Sequence, residues 1–127
     1  MNKTESNRTY DLEERTYEFA KDVRSFLKRI HNSPANAEDG KQLIRSSGSV
    51  GANYIEANEA ISKKDFILRI KICRKEAKES KFWLKLIDTR SNPVQEQTRD
   101  SLMKEADELT NIFGAILRNS KKGKKPE

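Results

Sequence analysis

The sequence is short of most things that would tie it to a particular chemistry. It holds one cysteine, Cys73, and one histidine, His31, so it can close no internal disulfide and cannot assemble a Cys/His zinc site. A reducing compartment fits. Its three prolines and five glycines sit at plausible punctuation points, unlike the scattered pattern of a disordered chain. No apolar run approaches the roughly 20 residues of a membrane span. The opening MNKTESNRTYDLEER has no apolar centre of the kind a signal peptide needs. A cytoplasmic location is expected, with no membrane partner.

What is present is charge. Charged residues make up 36% of the chain and hydrophobic residues 34%, a lean mixture that suits long amphipathic helices with most of their surface in water. At 127 residues the chain is one domain's worth. The formal net charge of +6 and a pI near 9.5 favour polyanionic partners.

Apolar or small residues recur in steps of three and four in four stretches, the spacing of one helix face. The first carries Leu12, Thr16, Phe19, Val23, Phe26 and Ile30, and ends at Asn32, Ser33 and Pro34. The second carries Leu43, Ser47, Val50, Tyr54, Ala57 and Ile61, widened by Ile44, Gly51, Ile55 and Asn58. Its Ser46, Ser47, Gly48, Ser49, Gly51 and Ala52 are small enough to admit a neighbouring backbone; a kink is the competing reading of the glycines. Ser62 with Asp65 reads as a cap opening the third stretch, Phe66, Ile70, Cys73, Ala77, Ser80, Leu84 and Ile87. Asn92, Pro93 and Gln95 read as cap, first helical residue and reciprocal cap for the fourth, Leu102, Ala106, Leu109, Phe113 and Ile116. The expected architecture is all-α: an antiparallel up-and-down four-helix bundle over residues 1–120, with a disordered basic tail at 121–127.

Projected at 100° per residue, Lys64, Lys71, Arg74, Lys75, Lys78, Lys81 and Lys85 fall on one arc of the third helix about 120° wide. Asp65, Glu76 and Glu79 lie on the other flank of its seam. A solvated face is the bland explanation, but an arc this pure gains little from pairing within its own helix. Nucleic-acid contact through Lys71, Arg74, Lys75, Lys78, Lys81 and Lys85 is therefore expected, with Arg45 and the lysine tail in support. Ile67, Leu68 and Phe82 interrupt the basic side, and Ile72, Trp83 and Leu86 extend the acidic flank. That surplus of apolar surface predicts self-association, with Ile67, Leu68, Phe82 and Trp83 as the subunit contact. A basic flank meeting the acidic flank of the next subunit is a head-to-tail contact, which closes into a ring or runs on into a filament.

Other polar residues have plainer roles. Asn53, Glu56 and Glu79 are expected to be structural, satisfying buried groups and fixing register. Glu56 with Glu59, and Glu76 with Glu79, lack the histidines of a di-metal bundle, and Cys73 has no histidine to activate it. No metal, no cofactor and no enzymatic activity are expected.

The stretch SSGSVGANYIEANEA, followed by KKDFILRIKICRKEAKESKFWLKLI, resembles bacterial four-helix-bundle proteins encoded in intervening sequences of large-subunit (23S) ribosomal RNA genes. The resemblance spans Leu43 to Ile87. It rests on Ser49, Ala52, Asn53, Glu56 and Ala57 in one helix and on Glu76, Ala77, Trp83 and Leu84 in the next. That family is similar in turn to accessory proteins of diversity-generating retroelements, five-fold barrels of bundles that bind nucleic acid and a reverse transcriptase. The resemblance implies a non-enzymatic, pentameric bundle with a basic nucleic-acid-binding surface. The alternative is a protein-interaction scaffold or accessory subunit, for a reverse transcriptase for example, with no nucleic-acid affinity of its own.

Overall fold

Ser33, Ser62 and Asn92 each precede a helix and accept a hydrogen bond from the backbone three residues on. Ser33 Oγ takes Asn36 N–H at 3.1 Å, Ser62 Oγ takes Asp65 N–H at 3.0 Å and Asn92 Oδ1 takes Gln95 N–H at 3.0 Å. Pro34 and Pro93 open two of these helices, where their missing N–H costs nothing. The computed structural model describes the backbone of residues 3–121 and the side chains of 12–120. It contains α1 (Lys3–Lys28), α2 (Pro34–Asn58), α3 (Lys63–Leu86) and α4 (Pro93–Lys121), with no strand among the described residues. Each packs on its chain neighbours and α1 returns to α4, most extensively where α3 meets α2 and α4. The protein is an all-α, antiparallel four-helix bundle. No helix among the described residues is long and apolar enough to cross a membrane. Tail residues 122–127, read as disordered from the sequence, lie outside the described residues.

The buried stripes are largely those the periodicity predicts. Thr16, Phe19, Val23 and Phe26 from α1, Leu43, Val50, Tyr54 and Ala57 from α2, Ile70, Cys73, Ala77 and Leu84 from α3, and Ala106, Leu109 and Phe113 from α4 fill the centre. Several positions differ: Phe66 is only half-buried, and Ile44 and Ile55 of α2 are exposed. Ile61 is fully exposed, because α2 ends at Asn58 and the chain turns through Glu59 and Ala60 before α3 is capped. Ile30 lies past the end of α1 and is half-buried. Leu117 takes the core place expected of Ile116, since a strict heptad drifts relative to 3.6 residues per turn along a helix of 29 residues.

The small residues of α2 are contact points, and α2 runs unbroken through them. Ser46 Oγ lies 2.8 Å from Ser80 Oγ of α3, both fully buried. Cys73 Sγ donates to Val50 O at 3.4 Å, and Gly51 faces Thr16 of α1. At one end of the bundle, buried Asn36 ties two connections together. Its Nδ2 donates to His31 O and Asp88 O, each at 3.0 Å, while its Oδ1 accepts Asp88 N–H at 2.9 Å. Gln95 is not the reciprocal cap: its amide donates across to Arg29 O at the end of α1. Arg15 fastens α1 to α4 with a forked pair to Glu105 (2.6 and 2.8 Å) and a bond to Glu108 (2.7 Å). The hydrogen bonds to Glu105 raise the pKa of its guanidinium further still.

Candidate nucleic-acid interface

Because α3 buries Ile70, Cys73, Ala77, Ser80 and Leu84 between α2 and α4, its remaining arc faces solvent alongside α4. Lys71, Arg74, Lys75 and Lys78 are exposed on that arc and line an open groove of about 440 Å³ with Glu79 and Leu117. Its lining is four cations, the Glu79 side chain and the buried Leu117. Gly114 of α4 lies beside Arg74. A Cβ at this position would stand 3.4 Å from Arg118 Nη1 and 3.8 Å from Arg74 Nε, so two guanidinium groups from different helices converge over a residue without a side chain. Arg118 escapes a sequence reading confined to the third helix, because only the antiparallel register of α3 on α4 brings it to Arg74.

Charge pairing sorts the cations. Lys71, Arg74, Lys75, Lys78, Lys85 and Arg118 have no ion pair among the described residues. Lys81 differs, donating to Asp107 Oδ2 at 2.9 Å. Arg45 differs as well, reaching both oxygens of Glu76 at 3.4 Å and Glu79 Oε1 at 3.3 Å. The Glu76 side chain is only 7% exposed, so Arg45 compensates a carboxylate that water barely reaches.

The acidic flank of α3 is therefore occupied within the chain. Glu76 and Glu79 hold Arg45, and Asp65 lies 3.9 Å from Arg69, whose guanidinium also donates to Asn53 Oδ1 at 3.1 Å. A neighbouring subunit's basic arc would have to compete with these partners for the carboxylates.

The remaining site residues separate in the same way. Asn53 is a bracket between α2 and α3, donating to Ser49 O and Ser49 Oγ at 2.9 Å while accepting from Arg69. Glu79 serves Arg45, whereas Glu56 is exposed and has no side-chain bond among the described residues. Ile67 and Trp83 are half-buried against the core, while Leu68 and Phe82 remain 53% and 55% exposed. These exposed residues do not form one patch. They are 14 positions apart on α3, about 21 Å at 1.5 Å per residue, with Lys71, Lys75 and Lys78 between them. Trp83 Nε1 is buried without a hydrogen-bond acceptor among the described residues, and Phe82 stands edge-on to its ring at 5.0 Å and 76°.

Cys73 is fully buried, and burial pushes its thiol from 9.0 up to about 12, which suits packing and removes nucleophilicity. Burial also raises the Tyr54 phenol, which packs at 6.0 Å from Phe113. Among the described residues no grouping of His, Cys, Asp and Glu could hold a metal ion. What the site offers is a set of fixed point charges and forks, the equipment for binding phosphate oxygens.

Comparison with known proteins reaches the same part of the chain. The family described as 23S rRNA-intervening sequence protein matches residues 8–115. Among solved structures, a protein of unknown function from the S23 ribosomal protein family of Bacteroides thetaiotaomicron VPI-5482 is similar, with 29% identity and a TM-score of 0.75. The similarity covers 87% of this chain and 97% of that one. No curated protein matches.

Proposed function

The chain belongs to the family of 23S rRNA-intervening sequence proteins, and from its geometry we propose that it is a non-enzymatic bundle that binds nucleic acid through the groove between α3 and α4. One observation carries the reading: Lys71, Arg74, Lys75, Lys78 and Arg118 gather on one surface without an ion pair among the described residues. Unpaired cations repel one another, and a phosphate backbone relieves that repulsion while releasing its own counterions. The two guanidinium groups suit forked contacts to phosphate oxygens, and the lysines suit point contacts. Such contacts ignore base identity, so binding should tolerate sequence and weaken steeply with salt. The similarity of that family to accessory proteins of diversity-generating retroelements, which bind nucleic acid, supports the same reading.

Filter binding to structured RNA and to duplex DNA at low salt tests it. The wild-type protein should retain both, and reversing the charge of Lys71, Lys75 and Lys78 together should abolish retention. Unchanged retention by that variant rejects this surface.

A second reading is a protein-interaction scaffold, self-associated or held on a partner such as a reverse transcriptase. Exposed Leu68, beside half-buried Ile67 at an apolar-lined groove of about 780 Å³, favours it. Light scattering addresses self-association: a monomer at micromolar concentration and moderate salt removes the homo-oligomeric form of this reading.

A further inference from the structure

Phe82 is large, apolar and more than half exposed, and apart from half-exposed Leu86 one turn on, its neighbours on the helix are largely cationic. Lys78 lies one turn before it and Lys85 one turn after it, with Lys75 two turns back on the same side. The nearby acids are engaged, Glu79 by Arg45 and Asp107 by Lys81. Trp83, half-buried against the core, holds the Phe82 ring edge-on at 5.0 Å, so the ring rests against an anchored neighbour. Leu68, the other exposed apolar residue compared above, lies too far along α3 to share one partner side chain with it.

An exposed aromatic face flanked by cations matches a nucleobase attached to phosphates, because the ring stacks while the ammonium groups take the backbone. We infer that Phe82 is a stacking platform for an unpaired base, so that the surface prefers single-stranded nucleic acid, or the splayed loops of a folded RNA, to continuous duplex. This rests on the nucleic-acid reading above and adds a substrate class to it. In a duplex the base faces are already stacked, and Phe82 has nothing to receive. A strand leaving the Lys71–Lys78 groove along α3 meets Phe82 one turn beyond Lys78.

The test compares Phe82→Ala and Phe82→Trp with wild type by fluorescence anisotropy. The probes are a labelled oligouridylate of about 12 nucleotides, within the span such surfaces cover, and an RNA duplex of equal length. Phe82→Ala should lose between about fivefold and about 150-fold in affinity for the single strand, the range found for removing one stacking aromatic. It should hold the duplex as wild type does, and Phe82→Trp should keep the single-strand affinity. Unchanged single-strand binding by Phe82→Ala, with wild type still binding duplex, overturns the stacking role alone. Failure of wild type to bind either probe at low salt overturns the groove reading as well. A loss that tracks a fall in mass by light scattering also overturns the inference, and assigns Phe82 to a contact between subunits.

Discussion

Gly51 of α2 and Thr16 of α1 meet with no room for a side chain on the glycine: a Cβ there would stand 3.0 Å from Thr16 Oγ1 and 3.3 Å from Thr16 Cβ. Thr16 cannot easily retreat. It is 1% exposed, and its hydroxyl donates to Leu12 O at 2.9 Å and to Glu13 O at 3.1 Å. Gly51→Val should therefore destabilise the bundle by about 1–3 kcal/mol, the usual cost of overpacking. A Thr16→Ala background should reduce the penalty. Gly48 is the internal control, since its Cβ would meet only the Arg24 guanidinium at 3.6 Å. Gly48→Ala should stabilise by about 0.5–1 kcal/mol through helix propensity. Urea unfolding of the four variants checks both signs.

Arg45 and Glu76 make a second pair whose energetics can be separated from binding. Replacing Arg45 by Met leaves a nearly buried carboxylate without its cation and should destabilise by about 1–3 kcal/mol. Adding Glu76→Leu should restore most of that loss, because replacing both partners of such a pair by apolar groups is often neutral. Neither residue lines the α3–α4 groove, though Arg45 also holds Glu79, which does. Arg45→Met should therefore lower the unfolding midpoint while leaving nucleic-acid affinity within a factor of about two, too little to count as a lost contact. A large drop in affinity for the folded variant would return Arg45 to the binding surface.

These two pairs also mark how far the sequence can be read. The steps of three and four found the bundle because each helix buries one stripe, and the serine and asparagine caps found the starts of α3 and α4. Periodicity overran at Ile61, where no residue pattern signals that α2 has already ended at Asn58. It was also blind across helices. That Glu76 and Glu79 meet Arg45, that Lys81 meets Asp107 and that Arg118 meets Arg74 are consequences of register between residues at least 26 apart in sequence. The basic arc was legible as a pattern; which of its members are neutralised was not.

Cys73 gives a pH-dependent signature. Its thiol titrates at about 12 in the folded chain, against an ordinary 9.0, because burial disfavours the thiolate. The folded pKa lies above the unfolded one, so the unfolded chain loses its proton first. The contribution to stability is complete below about pH 9 and is lost as pH rises toward 12. Native protein should resist a thiol reagent at pH 8 and react in urea no faster than it unfolds. Prompt reaction of the native thiol would contradict its burial. Cys73→Ala should flatten the alkaline limb of stability against pH.

Arg118 and Lys81 offer the sharpest comparison on the proposed surface, because both flank the same arc and differ in pairing. Lys81 is neutralised by Asp107 at 2.9 Å, whereas Arg118 shares the space above Gly114 with Arg74 and has no ion pair among the described residues. If the groove binds phosphates, Arg118→Ala and Arg74→Ala should each flatten the slope of log affinity against log salt by about 0.7–0.9, one phosphate contact apiece. Lys81→Ala should leave that slope nearly unchanged. Stability should move the other way. Removing Arg74 or Arg118 relieves repulsion and should leave the unfolding midpoint unchanged or slightly higher, while removing Lys81 breaks an ion pair worth at most about 1 kcal/mol. Anisotropy titrations across a salt series, with denaturation curves of the same variants, measure both axes. Equal salt slopes for the Lys81 and Arg118 variants would mean that the protein responds to net charge alone, and the groove would lose its claim to be a site.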